Sequence, residues 1–182
     1  MKPSPLLVTK KPVDCTPAEI SDFIALVIEG GEVASGGLRG RVQLAERLVF
    51  LLGPDGLLGV AALKKPEHAY RTRITKSSGV AVPASDFPFE LGWVVVAATA
   101  QGRGHSSRLS LAALVLASNN GVFATSHATN TRMHSTLAKL GFAPTGNMYP
   151  SRLRKHNIQL FLRVSSNNSF TADGFAATQL KR

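Results

Sequence analysis

Val94-Val95-Val96-Ala97-Ala98-Thr99-Ala100-Gln101-Gly102-Arg103-Gly104-His105-Ser106 decides how this chain folds. The valine run reads as a buried strand. It enters a short turn holding Gly102 and Gly104, and a helix starts at once. Glycine lets the backbone turn sharply and come close to a ligand. Amides at a helix start point outward and, with the helix dipole, favour an anion. The arrangement suits a diphosphate, with Arg103 and Arg108 adding cationic contacts. A Gly-x-Gly turn alone also joins strands to helices that bind nothing. No Gly-Lys-Ser/Thr follows, so it is not a P-loop, and the downstream acid of a dinucleotide fingerprint is missing.

Upstream, Leu6–Lys10 reads as a first strand, closed by Lys11-Pro12. Thr16-Pro17-Ala18-Glu19 is a helix start, with Thr as N-cap and Glu placed to cap back. Ile20, Phe23, Ile24, Val27 and Ile28 repeat at helical spacing until Gly30-Gly31. A less regular helix is expected around Leu38–Arg47. Gly53-Pro54-Asp55-Gly56 joins the apolar runs Leu48–Leu52 and Leu57–Leu63 as a hairpin. Lys64–Phe89 is long, polar and proline-dotted, and reads as a functional or mobile loop. Glu90–Ala97 is a strand. Downstream come a helix over Gly104–Asn119, a strand over Val122–Thr125 and a helix over Asn130–Leu140, whose apolar side is Met133, Leu137 and Leu140. Phe142–Gly146 and Ile158–Val164 read as final strands. Residues 1–164 form one expected domain, and Ser165–Arg182, without periodicity, an expected disordered tail. The order requires an α/β (α+β) architecture: a mixed sheet with helices on both faces.

Composition narrows the classes. Hydrophobic content of 44% with 18% charged residues is that of a soluble globular chain. No apolar run reaches the roughly 18 residues that span a bilayer, and Leu6-Leu7-Val8 is too short for a signal-peptide core. A cytoplasmic protein away from membranes is expected. Cys15 is the only cysteine, so neither an internal disulfide nor a thiol zinc site is available. No metal is expected. A formal charge of +10 favours anionic partners such as nucleotides, nucleic acid or acidic proteins, or serves solubility.

Gln101, Gly104 and Ser106 stand at the positions of the Gln/Arg-x-x-Gly-x-Gly/Ala signature of the GNAT acyltransferase superfamily, which the chain resembles. Ser106 departs mildly from the small residue usual there. The strand Glu90-Leu91-Gly92-Trp93-Val94-Val95-Val96 is similar to the family's fourth strand. Asn130 to Phe142 resembles its second cofactor segment, an Asn opening a helix and Leu-Gly-Phe closing it. The likeness covers roughly Thr16 to Val164, and the pair of segments is more specific than either alone.

The resemblance implies a central mixed, mostly antiparallel sheet, splayed between two parallel strands, Glu90–Ala97 and Val122–Thr125. Acetyl-CoA or another acyl-CoA would lie in the splay. Its pantetheine arm would pair with Val94, Val95 and Val96. Its diphosphate would rest on the turn from Gln101 through Gly102, Arg103, Gly104 and His105 to Ser106 and Ser107. Asn130 and Met133 would border it from the other side. A Val95 or Val96 amide would polarise the thioester carbonyl. Glu90 is the candidate base for the acceptor amine, directly or through water. It equally suits an ion pair with a Lys or Arg. The tyrosine that many relatives use as general acid is Leu137 here. Tyr149 and His127 are substitutes, with His134 and Ser135 behind them. His127 also suits a loop histidine bonded to backbone. The resemblance further implies pairing of two copies through sheet edges.

The acceptor is read from charge. Lys64, Lys65, His68, Arg71, Arg73 and Lys76 crowd one segment, and Arg152, Arg154, Lys155 and His156 another. Together they form either a cationic rim for an anionic acceptor or two solvated loops. Tyr70 and Tyr149 could stack on a base. Three functions fit: an N-acyltransferase with a small-molecule or protein amine acceptor, an enzyme of the same fold acting on nucleic acid, and an acyl-CoA-binding sensor without catalysis.

Overall fold

Thr16 caps the first long helix as its sequence requires. Its Oγ1 accepts from the Glu19 amide at 3.2 Å, and Glu19 Oε2 accepts from the Thr16 amide at 2.8 Å. The computed structural model describes residues 4–153 and 155–165. The expected tail beyond Ser165, and Arg154, lie outside the described residues. Chain order is β1 (Leu6–Lys10), α1 (Pro17–Glu29), α2 (Leu38–Gln43), β2 (Arg47–Gly53), β3 (Gly56–Lys64), α3 (His68–Ser78), β4 (Phe89–Val96), α4 (His105–Val115), β5 (Val122–His127), α5 (Thr131–Lys139), β6 (Ala143–Pro150) and β7 (Asn157–Arg163).

All seven strands join one sheet in the order β1-β2-β3-β4-β5-β7-β6. Every neighbouring pair is antiparallel except β4 and β5. This is the expected α/β arrangement, mixed and mostly antiparallel. Strand alternation sends successive residues to opposite faces, and both faces are covered. Val49, Leu51, Leu63, Leu91, Val122 and Ala124 pack with Leu109 and Ala113 of α4 and Leu137 of α5. Leu48, Phe50, Val60 and Trp93 pack with Phe23 and Val27 of α1 and Leu38 of α2. On that second face, Phe123 and Leu160 pack with Ile74 of α3. Among the described residues no helix is long and apolar enough to cross a membrane.

The main correction concerns Lys64–Phe89, which is not a loop throughout: α3 occupies its first half. Its apolar positions are few, so periodicity does not reveal it. One of its inward positions is an arginine. Arg71 is buried and donates to four carbonyls, of Pro66, Val82, Phe87 and Pro88. It thereby ties the return segment to the helix. Boundaries shift elsewhere. The helix expected to Arg47 ends at Gln43, because Arg47 already belongs to β2. The helix expected to Asn119 ends at Val115, and Ser118 just beyond is left-handed at φ 54°, a helix-stopping conformation ahead of Gly121. The strand expected to end at Gly146 runs to Pro150 through an irregularity between Thr145 and Tyr149.

Replacing Arg71 by leucine strips the donors from four carbonyls at once. Buried carbonyls without partners are costly, so Arg71→Leu should lose roughly 2–4 kcal/mol of stability. Urea denaturation measures this, and an unchanged midpoint contradicts the clamp.

Candidate functional site

The parallel pair β4–β5 is short. Phe89 faces Val122, Glu90 faces Phe123 and Leu91 faces Ala124, and there the pairing ends. Both strands continue, β4 to Val96 and β5 to His127, so a cleft opens between them. On its other side β4 stays paired with β3, with one irregularity. Gly92 pairs with Ala62 and Val95 with Val60, leaving Trp93 and Val94 together opposite Ala61. This is a bulge, and Trp93 takes φ 51° within it. A bulky residue in that region is strained, and bulges re-aim side chains beside functional sites.

Beyond the bulge the backbone directions can be read. Ala97 donates to the Leu58 carbonyl at 2.9 Å. The two-residue alternation of an antiparallel ladder turns Val95 the same way, toward Val60. Val95 is therefore committed to β3, which corrects its candidacy as a donor into the cleft. Val96 faces the opposite way, and Gln101 Nε2 donates to its carbonyl at 3.1 Å. The signature glutamine thus holds the turn against the free edge of β4.

The turn that follows closes the cleft. Gly102 and Gly104 are left-handed, at φ 77° and 74°, and a side chain at either would meet open space. Gly104 is the N-cap of α4 and provides no side-chain cap. The first amide with a partner inside the helix is that of Arg108, to the Gly104 carbonyl. The amides of His105, Ser106 and Ser107 therefore remain for an anion. Arg103 is exposed beside them. Arg108 instead donates to the Pro5 carbonyl at 3.1 Å. The His105 ring points inward, where its Nδ1 has no partner. Burial, with Arg108 and Arg103 nearby, lowers its pKa and favours the neutral ring. Across the cleft, Asn130 Oδ1 accepts from the Met133 amide at 3.1 Å, so its oxygen caps α5 and its amide nitrogen stays available. Met133 is partly buried on the first core. Leu137, at the expected acid position, is 1% exposed and is a core residue.

The opposite face of the sheet carries the titratable groups. Lys64 and Glu90 are cross-strand partners, and Lys64 Nζ lies 2.6 Å from Glu90 Oε2. Glu90 is 2% exposed. Its Oε1 accepts from Tyr70 Oη at 3.0 Å and from Thr125 Oγ1 at 3.5 Å. Gly92 makes room for the lysine, since a Cβ there would sit 2.8 Å from Lys64 Cδ. The Lys64 ammonium also lies 4.9 Å from the Trp93 ring centre. Both readings of Glu90 thus meet in one residue, an ion pair placed where the cleft begins. His127 and Tyr149 each stand opposite Ile158, on either side of it, and share this face. His127 Nδ1 accepts from the Thr129 amide at 3.3 Å, and its ring lies 3.4 Å, centre to centre, from that of His156. His134 Nε2 lies 3.0 Å from the His127 carbonyl. Burial, then Glu90, pushes the Tyr149 phenol up to about 12, with Arg73 opposing. Burial and Glu90 push Tyr70 well above its usual value too.

Sequence reasoning missed that Tyr70, Thr125 and Lys64 converge on Glu90. They lie 20, 35 and 26 residues from it, and no local pattern joins them. It also overcounted free cations: Lys64 pairs with Glu90, Lys65 with Glu46, and Arg71 with backbone. Among the described residues no cluster of three or more His, Cys, Asp or Glu side chains could hold a metal.

The fold has known counterparts. An acyl-CoA N-acyltransferase from Pseudomonas aeruginosa superposes with a TM-score of 0.67 at 16% identity, covering 88% of this chain and 99% of that one. A GNAT-family acetyltransferase from Streptococcus agalactiae gives 0.60 at 14% identity, covering 87% and 95%. NAA60 from Arabidopsis thaliana, in complex with a bisubstrate analogue, gives 0.63 at 13% identity, covering 90% and 100%. No family model matches the chain, and no curated protein matches it in sequence. The chain has the GNAT acyltransferase fold.

The chain's two tyrosines are both on this face. A phenol whose folded pKa is raised stays protonated after the unfolded phenol has ionised. Stability should therefore fall as pH rises from about 10, where an unfolded tyrosine ionises, toward the folded value of about 12 at Tyr149. Absorbance near 295 nm should show no phenolate at pH 10 in the native protein, and about half of each phenol ionised once the chain is denatured at that pH. A tyrosine titrating normally in the folded chain contradicts the cluster.

Proposed function

We propose that the chain is an N-acyltransferase that moves an acyl group, acetyl in the simplest case, from acyl-CoA to an amine by direct attack with both substrates bound. The observation that carries this reading is the split sheet. Backbone left unpaired in mid-sheet opens onto a turn whose outward amides suit a diphosphate. Such a groove matches a long donor with an amide-bearing arm and a charged end. The solved structures of like fold support it, since they are of an acyl-CoA N-acyltransferase and a GNAT-family acetyltransferase, and one holds a bisubstrate analogue.

In this reading the donor arm pairs with β4 at Val94 and Val96, with Val95 behind them. Its diphosphate rests on Gly102, Gly104, His105, Ser106 and Ser107, with Arg103 as counter-charge. Gln101 keeps the Val96 edge in place, and Asn130 and Met133 close the groove from α5. The Val96 amide faces the thioester carbonyl. As charge develops on that oxygen, a fixed donor stabilises it without reorganising. Glu90 takes the acceptor's proton. Tyr70 already donates to Glu90, so it can pass its proton to the carboxylate while accepting one from the amine. The attacking nitrogen forms its bond to the acyl carbon as the carbon–sulfur bond breaks. The departing thiolate then takes a proton from Tyr149, which is still protonated at neutral pH, or from His127.

Acetyl-CoA should bind the wild-type chain in calorimetry. Gly104→Asp should abolish binding, since it strains a left-handed position and sets a carboxylate against the anion. Glu90→Gln should keep donor binding while lowering kcat by about a hundredfold or more. No binding by the wild type contradicts the reading. Binding without transfer to any amine leaves a sensor in its place, and unchanged turnover in Glu90→Gln removes Glu90 as the base.

A further inference from the structure

The connection from β3 to β4 is far longer than the sheet needs. These are antiparallel neighbours, and such a pair can close with a turn of about two to five residues. Here the chain leaves after Lys64, builds α3 against β6 and β7, and returns at Phe89. Long excursions within compact domains are commonly functional.

Most of its cations are committed within the chain. Lys64 serves Glu90, Lys65 serves Glu46, and Arg71 holds backbone carbonyls. Arg73 differs. Helix side chains lean toward the N-terminus, and residues three apart share a face. Its guanidinium carbon accordingly stands 4.9 Å from the centre of the Tyr70 ring. Among the described residues it has no carboxylate partner. Its charge is felt at Tyr149, where it opposes the upward push of burial and Glu90. A cationic fork thus borders both phenols of the Glu90 cluster with no anion to neutralise it.

We infer that Arg73 receives a carboxylate carried by the acceptor, which is therefore an amine of the amino-acid class. The inference rests on the acyl-transfer reading above and names the substrate class of that site. A guanidinium matches a carboxylate in shape and takes it through two parallel hydrogen bonds. With the carboxylate on Arg73, the amine of the same molecule is directed across Tyr70 and Tyr149 toward Glu90. A polyamine brings only positive charge toward the unpaired Arg73, and is repelled.

The test uses the full chain with acetyl-CoA and pairs each amino acid with its own carboxamide. Arg73→Gln should lower kcat/KM for the carboxylate by about ten- to a hundredfold, and for the carboxamide by less than about threefold. Lys11→Gln removes an exposed charge beside β1, at the sheet edge opposite the β6–β7 end that α3 packs on, and should leave the discrimination intact. Equal losses on both members of a pair overturn the proposal, as does a wild type that prefers aminoalkyl phosphonates. A second measurement needs no turnover. N-acetyl amino acids should protect Arg73 from phenylglyoxal, read by peptide mass, and their carboxamides should not. Labelling that no N-acetyl amino acid slows overturns the proposal. Failure of acyl transfer itself shows separately, as absent acetyl-CoA binding.

Discussion

Two parallel strands that pair for three residues and then part leave peptide groups unpaired in the middle of a sheet. Unpaired backbone polar groups away from water are costly, and sheets seldom leave them so. Here the separation is held from several sides. The bulge at Trp93–Val94 keeps β4 attached to β3 while freeing two residues. Gln101 takes the Val96 carbonyl. At the closed end, Thr125 of β5 reaches Glu90 of β4, which is itself held by Lys64 of β3. The cleft so maintained leaves a row of peptide groups that an occupant of the proposed groove could pair.

The two faces of the sheet divide the work. One packs α4 and α5 against the strands and presents the turn and the free amides at the start of α4. The other carries Glu90, Tyr70, Tyr149 and His127 beneath α3. The Glu90–Lys64 pair is buried, and such pairs add little net stability while fixing geometry. Its value here is placement: it holds a carboxylate at the point where the cleft begins, with a phenol already bonded to it. The α3 excursion is what brings that phenol, and Arg73 beside it, to the β5–β7 half of this face, where α1 and α2 do not reach.

Much of this was legible in the sequence because it depends on local chemistry. The Thr16–Glu19 box, the Gly53–Gly56 hairpin and the valine strand entering a glycine turn each declare themselves within a few residues. Leu137 in place of an acid was readable too, and the core confirms it as a packing residue. What failed was α3, whose inward positions include Arg71. An arginine buried by four backbone carbonyls reads as surface in any pattern of apolar residues. The convergence on Glu90 was equally hidden, since it joins four elements that only the sheet register brings together. Charge counting misled for the same reason, because Lys64 and Lys65 find Glu90 and Glu46 only in the fold, and Arg71 finds backbone carbonyls.

The parting of β4 and β5, with the turn beyond it, is the donor groove we propose. Amide hydrogen exchange with and without acetyl-CoA tests it most directly. Bound acetyl-CoA should slow exchange at Trp93–Val96 and at Gln101–Ser107, with β1 and β2 unchanged. Slowing elsewhere, or none on these two segments while the donor is bound, contradicts it.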